Sequence, residues 1–295
     1  MRRNGITIAG FILMAMAVAV LSTASPAIAR DKIIVAVGTF ADESGKNLGA
    51  KASDAITNTF VKLKYFTIVE RNRIDQVMRE IAHQQTGFVD ESTAIEIGKQ
   101  LGAKVLVVGA VTSAGYNIEK TKYKDSQGIK RVVFNAHGKV GLNLRMVDVE
   151  TGQVVFSQTI NGTAVSDSFK RGSTPPSQSV MFDKAIQNAA HSFYGPIQKS
   201  FPLIGTVVKK DGKWIWIDFG SDWGVAWKRG LIFYRGGGAI RHPKTGEIIG
   251  YDREEVARDS VAEVMESMCK AKVSKKEAQK IKIGDTVIAK PEIFY

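Results

Sequence analysis

The apolar pattern of this chain changes character near residue 200, and that change limits the folds open to it more than any other feature. Before it, short β-branched runs alternate with segments of helical period. Residues 32–38 read as a buried strand. Leu48, Ala52, Ala55, Ile56, Phe60 and Leu63 recur at helical spacing and predict an amphipathic helix over 47–63. Tyr65–Glu70 is a second strand, and Ile74, Val77, Met78 and Ile81 mark a helix over 71–84. A third helix over 92–101 stops at Gly102, a C-terminal cap, and Lys104–Val111 is another buried strand. Strands alternating with helices argue for an α/β layered architecture.

From Val132 to Met146 the even positions are apolar or small, and the odd ones include Asn135, His137, Lys139, Asn143 and Arg145. That is one long strand with a single buried face. Glu150-Thr151-Gly152 turns the chain, and Val154–Thr163 returns beside it. Ser166–Ser179, with Pro175-Pro176, is a loop. Val180, Ala185, Ile186, Ala189, Ala190 and Phe193 form a last helix that ends near Gly195-Pro196. The densest basic stretch, Lys120, Lys122, Lys124, Lys130 and Arg131, reads as a solvated loop. After residue 200 only short strands remain, at 203–208, 213–219, 231–235, 247–251, 256–264 and 285–290, with a hairpin loop from Gly236 to Glu247. Closely spaced short strands predict a small β-barrel or sandwich. The expected division is 1–29, 30–200 and 201–295.

Residues 1–29 carry an address. Arg2 and Arg3 precede an uncharged, mostly apolar run from Ile6 to Leu21, and Ala27-Ile28-Ala29 supplies the small residues that a signal peptidase reads. The order predicts a secretory signal peptide cut between Ala29 and Arg30. The run is short for a membrane span, which needs about 20 residues. The mature chain is therefore expected in the periplasm, soluble or peripheral to the outer membrane. No ATP is available there, which argues against a nucleotide-driven enzyme. Cys269 is the only cysteine, so no disulfide can form within the chain. A net charge of +12 suits anionic lipid or cell-wall polymer as a peripheral contact, and nucleic acid is not an expected partner in this compartment.

Several stretches taken in order carry a resemblance. They are Phe66-Thr67-Ile68-Val69-Glu70-Arg71, Ile74 to Ile81, Ile97-Gly98-Lys99-Gln100-Leu101-Gly102-Ala103, Val105–Gly109, and Val147-Asp148-Val149-Glu150-Thr151-Gly152-Gln153-Val154. Residues 32–200 resemble the family of the curli secretion channel CsgG. The resemblance implies an α/β (α+β) three-layer sandwich similar to the N-terminal domain of TolB. It also implies a homo-oligomer working with envelope proteins. Members include pore-forming secretion channels, activators of cell-wall synthases and flagellar ring components. Residues 201–295 resemble the C-terminal domain of the flagellar assembly protein FlgT, through Gly205-Thr206-Val207, Ile217-Asp218-Phe219-Gly220, Gly224-Val225, Gly230-Leu231-Ile232-Phe233, Thr245 to Gly250, and Ile283 to Val287. The curli channel is a lipoprotein that builds its membrane barrel from two hairpin excursions. This chain has Arg30, not Cys, at the cleavage site. The regions matching the excursions, 113–140 and 163–180, are charged on both faces in the first half of one and lack alternation in the other. The resemblance therefore implies a scaffold for assembly or secretion of a curli-like fibre or flagellar ring, with an outer-membrane secretion pore and an activator of a cell-wall synthase as the alternatives.

Catalytic signatures are missing from the sequence. His83, His137, His191 and His242 do not pair with one another or with Cys269 at metal-ligand spacing. There is no Gly-x-Ser-x-Gly elbow and no Walker-type phosphate loop. Glu254 and Glu255 are strand neighbours and point to opposite faces. No enzyme activity, cofactor or metal is expected. One cluster stands out: Trp214, Trp216, Trp223 and Trp227 lie within fourteen residues. On a strand Trp214 and Trp216 share one face and Ile215 and Ile217 the other. If the aliphatic face is inside, the Trp pair is an exposed platform for a partner or a glycan; otherwise the four fill or rim the barrel.

Overall fold

A computed structural model describes residues 31–70, 72–74, 76–77, 91–241 and 248–291, excepting the side chains of 91–94, 237–241 and 248–252. The expected signal peptide, most of the helix over 71–84, and His83 and His242 fall outside these residues.

The first strands are parallel. β1 (Ile33–Val37) lies between β3 (Phe66–Ile68) and β4 (Val105–Lys124), and a two-residue β2 (Ala41–Asp42) also runs beside β4. β5 (Lys130–Asp148) and β6 (Val154–Val165) continue the sheet antiparallel, in the order β3-β1-β4-β5-β6. α1 (Gly49–Leu63) and α3 (Gln178–Ser192) cover one face. The even positions of β5 supply that face as the alternation requires: Ala136, Val140, Leu142, Leu144 and Met146 are buried against Ile56, Phe60, Met181, Ala185 and Phe193. Gly138 and Gly162 let α3 settle close to the sheet. A Cβ on Gly162 would run into the Ala185 carbonyl and the Ala189 side chain, and one on Gly138 into the backbone of Met181. On the other face α2 (Glu91–Leu101) packs through Ile97 and Leu101 on Ala36, Leu106 and Val149, with Ile74 and Val77 in the same cluster. Helices thus flank the β1 and β4 side of the sheet on both faces.

Two expectations fail in this half. The strand foreseen over 104–111 runs on to Lys124, and the basic stretch foreseen as a loop is the far end of a β4–β5 hairpin, paired in register from Ser113–Gly141 to Lys124–Lys130. The chain also does not leave the helix at Gly195-Pro196. A further helix, α4 (Tyr194–Ser200), begins there, with Pro196 in its first turn, where no backbone N–H is needed.

The remainder closes a six-stranded barrel, one of the two forms expected of it. Its strands are β7 (Ile204–Asp211), β8 (Trp214–Ile217), β9 (Gly230–Arg241), β10 (Ile248–Val264), β11 (Cys269–Lys272) and β12 (Thr286–Ala289), closed in the order β10-β11-β8-β7-β12-β9. Val207, Ile215, Ile217, Phe219, Leu231, Phe233, Val261, Cys269 and Val287 are buried. Gly236–Gly238, expected in a loop, belong to β9, and the two strands expected at 247–251 and 256–264 are one bulged strand, β10. A short helix α5 (Lys275–Lys280), with a Ser274–Glu277 capping box, was not foreseen.

Barrel and sheet belong to one compact unit, Lys32–Tyr295. The buried Arg229 guanidinium donates to Gln198 Oε1 (2.9 Å) at the end of the α/β part, and to the carbonyls of Gly224 (3.0 Å) and Lys290 (3.1 Å) within the barrel. Lys32 Nζ donates to the Asp222 carbonyl at 2.9 Å. Phe66 and Phe201 meet edge to face, 6.0 Å between centroids.

Candidate docking face on the barrel

Strand β8 is four residues long, Trp214-Ile215-Trp216-Ile217, and its pleat sorts them. Ile215 and Ile217 are fully buried in the barrel, while Trp214 and Trp216 are half-buried on its outer surface. The aliphatic face is therefore the inner one. Of the two arrangements the sequence allows, Trp214 and Trp216 adopt the outward one.

The flanking strands decorate this pair with lysine. Across the ladder with β11, Lys272 stands opposite Trp214 and Lys270 opposite Trp216. On the other side, a bulge in β7 between Val207 and Lys209 brings Lys209 opposite Trp216. The ammonium of Lys209 is 4.8 Å from the Trp216 ring centroid. That of Lys270 is 5.4 Å from Trp216 and 5.8 Å from Trp214, and that of Lys272 is 5.3 Å from Trp214. All fall within the range in which a cation is held by an aromatic quadrupole. Lys270 also pairs with Glu263 at 2.6 Å. The result is a strip across three strands in which Lys209, Lys270 and Lys272 flank the two indoles, with Asp211 opposite Trp214 on β7. Each stacked ammonium keeps N–H bonds for an outside acceptor, and each indole holds a lysine in place.

The other two tryptophans do not join the strip. Trp223 sits in the 3-10 turn Ser221–Trp223, packed on the core with the Lys32 ammonium 5.7 Å from its ring. Trp227 is 64% exposed in the following turn, with Lys228 stacked over it at 4.1 Å. The four-residue cluster of the sequence thus resolves into one pair, one junction residue and one surface residue. Sequence reading missed Lys209, Lys270 and Lys272. Their signal was the alternation Cys269-Lys270-Ala271-Lys272, in which Cys269 and Ala271 are fully buried.

His137 Nε2 lies 3.1 Å from Glu119 Oε2 on the exposed hairpin, and His191 stacks on Tyr194. No group of three metal-ligating side chains occurs among the described residues. The Cys269 thiol, inside the barrel, is pushed up to about 12 by burial, reinforced by the negative charge of Asp218, which makes it a poor nucleophile. A cleft of about 540 Å³ between α1 and α3 is lined by Lys51, Asp54, Thr59, Asp183, His191 and Tyr194 among others, and one of about 610 Å³ lies on the opposite face of the sheet. No described helix is long and apolar enough to cross a membrane.

Comparison with known proteins gives one family and a set of distant folds. The family model described as "Curli production assembly/transport component CsgG" matches residues 16–174, more than half of the chain. Among solved structures, the lipoprotein GNA1162 from Neisseria meningitidis is similar at 14% identity, with 48% of this chain and 88% of that chain covered and a TM-score of 0.33. The LpoB C-terminal domain from Escherichia coli is similar at 16% identity, covering 45% and 82%, with a TM-score of 0.31. A PelC dodecamer from Paraburkholderia phytofirmans is similar at 20% identity, covering 56% and 88%, with a TM-score of 0.29. No curated protein matches the chain.

Proposed function

Because the chain belongs to the CsgG family, we propose that it is a non-enzymatic protein of the cell envelope that supports assembly or secretion of a surface structure. In this reading residues 1–29 are removed at Ala29–Arg30 and the mature chain works in the periplasm, soluble or peripheral to the outer membrane. Residues 30–200 are a TolB-like three-layer body that oligomerises, and residues 201–295 are a FlgT-like barrel that docks an envelope partner. The observation that carries the docking role is the outward Trp–Lys strip. Two large aromatics stand on the outer face of a four-residue strand whose inner face already fills the barrel, so the fold does not require them there. Aromatic residues with a cationic rim are common anchors of interfaces.

The experiment is crosslinking in living cells followed by capture on the tagged protein. The wild type should bring down the same envelope partner repeatedly, and Trp214→Ala with Trp216→Ala should lose it while the purified variant stays folded. Unchanged capture by the folded double variant overturns the docking role.

The β4–β5 hairpin favours a second reading, an outer-membrane channel, because its paired strands extend far past the sheet. A channel gives single-channel steps in planar bilayers from purified protein. The scaffold reading predicts none.

A further inference from the structure

The far end of the β4–β5 hairpin sorts its charges by face. Opposite residues of an antiparallel pair share a face, and the pairs alternate. Lys120–Phe134, Lys122–Val132 and Lys124–Lys130 are three such pairs, separated by Thr121–Val133 and Tyr123–Arg131. One face of the arm therefore carries Lys120, Lys122, Lys124 and Lys130, all exposed, and no acidic residue. Val132, 41% exposed, lies among them opposite Lys122, and Ile118, 44% exposed, flanks Lys120 on the side toward the sheet. The other face and the tip are balanced. Glu119 meets His137 at 3.1 Å, and Asp125 pairs with Arg131 at 2.9 Å. The tip is ordered as well, since the Asp125 carboxylate accepts from the backbone N–H groups of Gln127 and Ile129.

The lysine face works against the arm that carries it. Like charges directly opposite in a ladder repel, and Lys124 and Lys130 are in register with Lys122 beside them. An anion brought against this face relieves that repulsion. Apolar side chains among and beside the lysines suit one anionic surface in particular. At a bilayer the ammoniums meet phosphates while Ile118 and Val132 reach the boundary of the acyl chains. The aromatic rings on this face are engaged within the protein: Phe134 is stacked on Phe169 at 6.0 Å, and the Tyr116 hydroxyl donates to the Pro176 carbonyl at 2.8 Å.

We propose that the lysine face of the arm binds the surface of an anionic lipid bilayer, lying on it rather than spanning it. This goes beyond the docking role of the barrel and does not depend on it, because the two surfaces share no residue. Each lysine near an anionic membrane contributes about fivefold in affinity, so four contribute several hundredfold at low salt.

Sedimentation with vesicles tests it, using the protein purified from Arg30 onward. Phosphatidylcholine vesicles containing phosphatidylglycerol should carry the protein down, pure phosphatidylcholine vesicles should not, and added salt should release it. The variant with Lys120, Lys122, Lys124 and Lys130 all changed to Gln should lose most of the binding with its melting temperature unchanged. Lys122→Glu alone should weaken binding by roughly tenfold or more, since it removes one cation and adds an anion. Three results each overturn the proposal: equal binding by the four-glutamine variant, equal binding to uncharged vesicles, or sedimentation with insoluble cell wall and not with vesicles. Release of a dye trapped in the vesicles at saturating protein would show an arm that spans, and overturns it too.

Discussion

Lysine dominates two surfaces of this protein, and its neighbours differ between them. On the β4–β5 arm Lys124 faces Lys130 across the ladder, and neither forms an ion pair or a cation–π contact among the described residues. On the barrel Lys209, Lys270 and Lys272 each rest against Trp214 or Trp216. The first surface is a bare field whose charges destabilise the element that bears them. The second is a built surface in which charge and ring stabilise each other. Basic sequence alone does not separate them; strand pairing does. The comparison predicts a diffuse, salt-sensitive contact from the arm and a shaped, less salt-sensitive one from the barrel.

The largest effect that could break this comparison lies on β8 itself. Ile217→Ala empties part of the barrel core and should cost about 2–5 kcal/mol in chemical denaturation. Trp216→Ala, one residue away on the outer face, should cost less, about 1–2 kcal/mol for two lost cation–π contacts. Equal losses would make the tryptophans part of the core and remove the docking face. Next in size is binding. The Trp214→Ala and Trp216→Ala pair should cost the captured partner about 2 kcal/mol or more of affinity, as hot-spot tryptophans do.

The smallest effects have opposite signs. Lys270→Met removes an ion pair and two ring contacts from the strip, and should destabilise the protein by about 0.5–1.5 kcal/mol. Lys124→Thr on the arm removes a like-charge pair and should stabilise the arm by a few tenths of a kcal/mol, read as slower amide exchange in the hairpin. If both substitutions destabilise alike, the two surfaces are not different in kind. Cys269 serves as an internal check on the barrel. With its thiol pushed up to about 12 by burial, an alkylating reagent should leave it unmodified near neutral pH until the barrel unfolds.

How much of this was legible depends on how cleanly each element alternates. β5 shows in the sequence because its even positions from Ala136 to Met146 are uninterrupted by charge and meet one helix layer. The far half of β4 does not, because Lys120, Lys122 and Lys124 occupy the positions where a buried face would show apolar residues, and strand pairing alone holds them extended. β10 broke into two predicted strands at its bulges, where the period of two is interrupted. β11 was lost because four residues with two lysines make no hydrophobic signal, and with it went the lysines of the docking face. The Ser274-x-x-Glu277 box of α5 was present to be read, but six residues give too little period to support it. The tryptophans themselves were legible as a cluster; which side of β8 faced the core was not, since both of its faces are apolar.

Trp214 and Trp216 stand outside the barrel among three ammoniums. Intrinsic fluorescence of a Trp223→Phe, Trp227→Phe protein isolates that pair. Emission should be shifted toward that of free tryptophan, and quenching by iodide should exceed quenching by caesium, because Lys209, Lys270 and Lys272 draw anions to the rings. Blue-shifted emission that neither ion quenches would place the rings in the core and rule out an outward-facing pair.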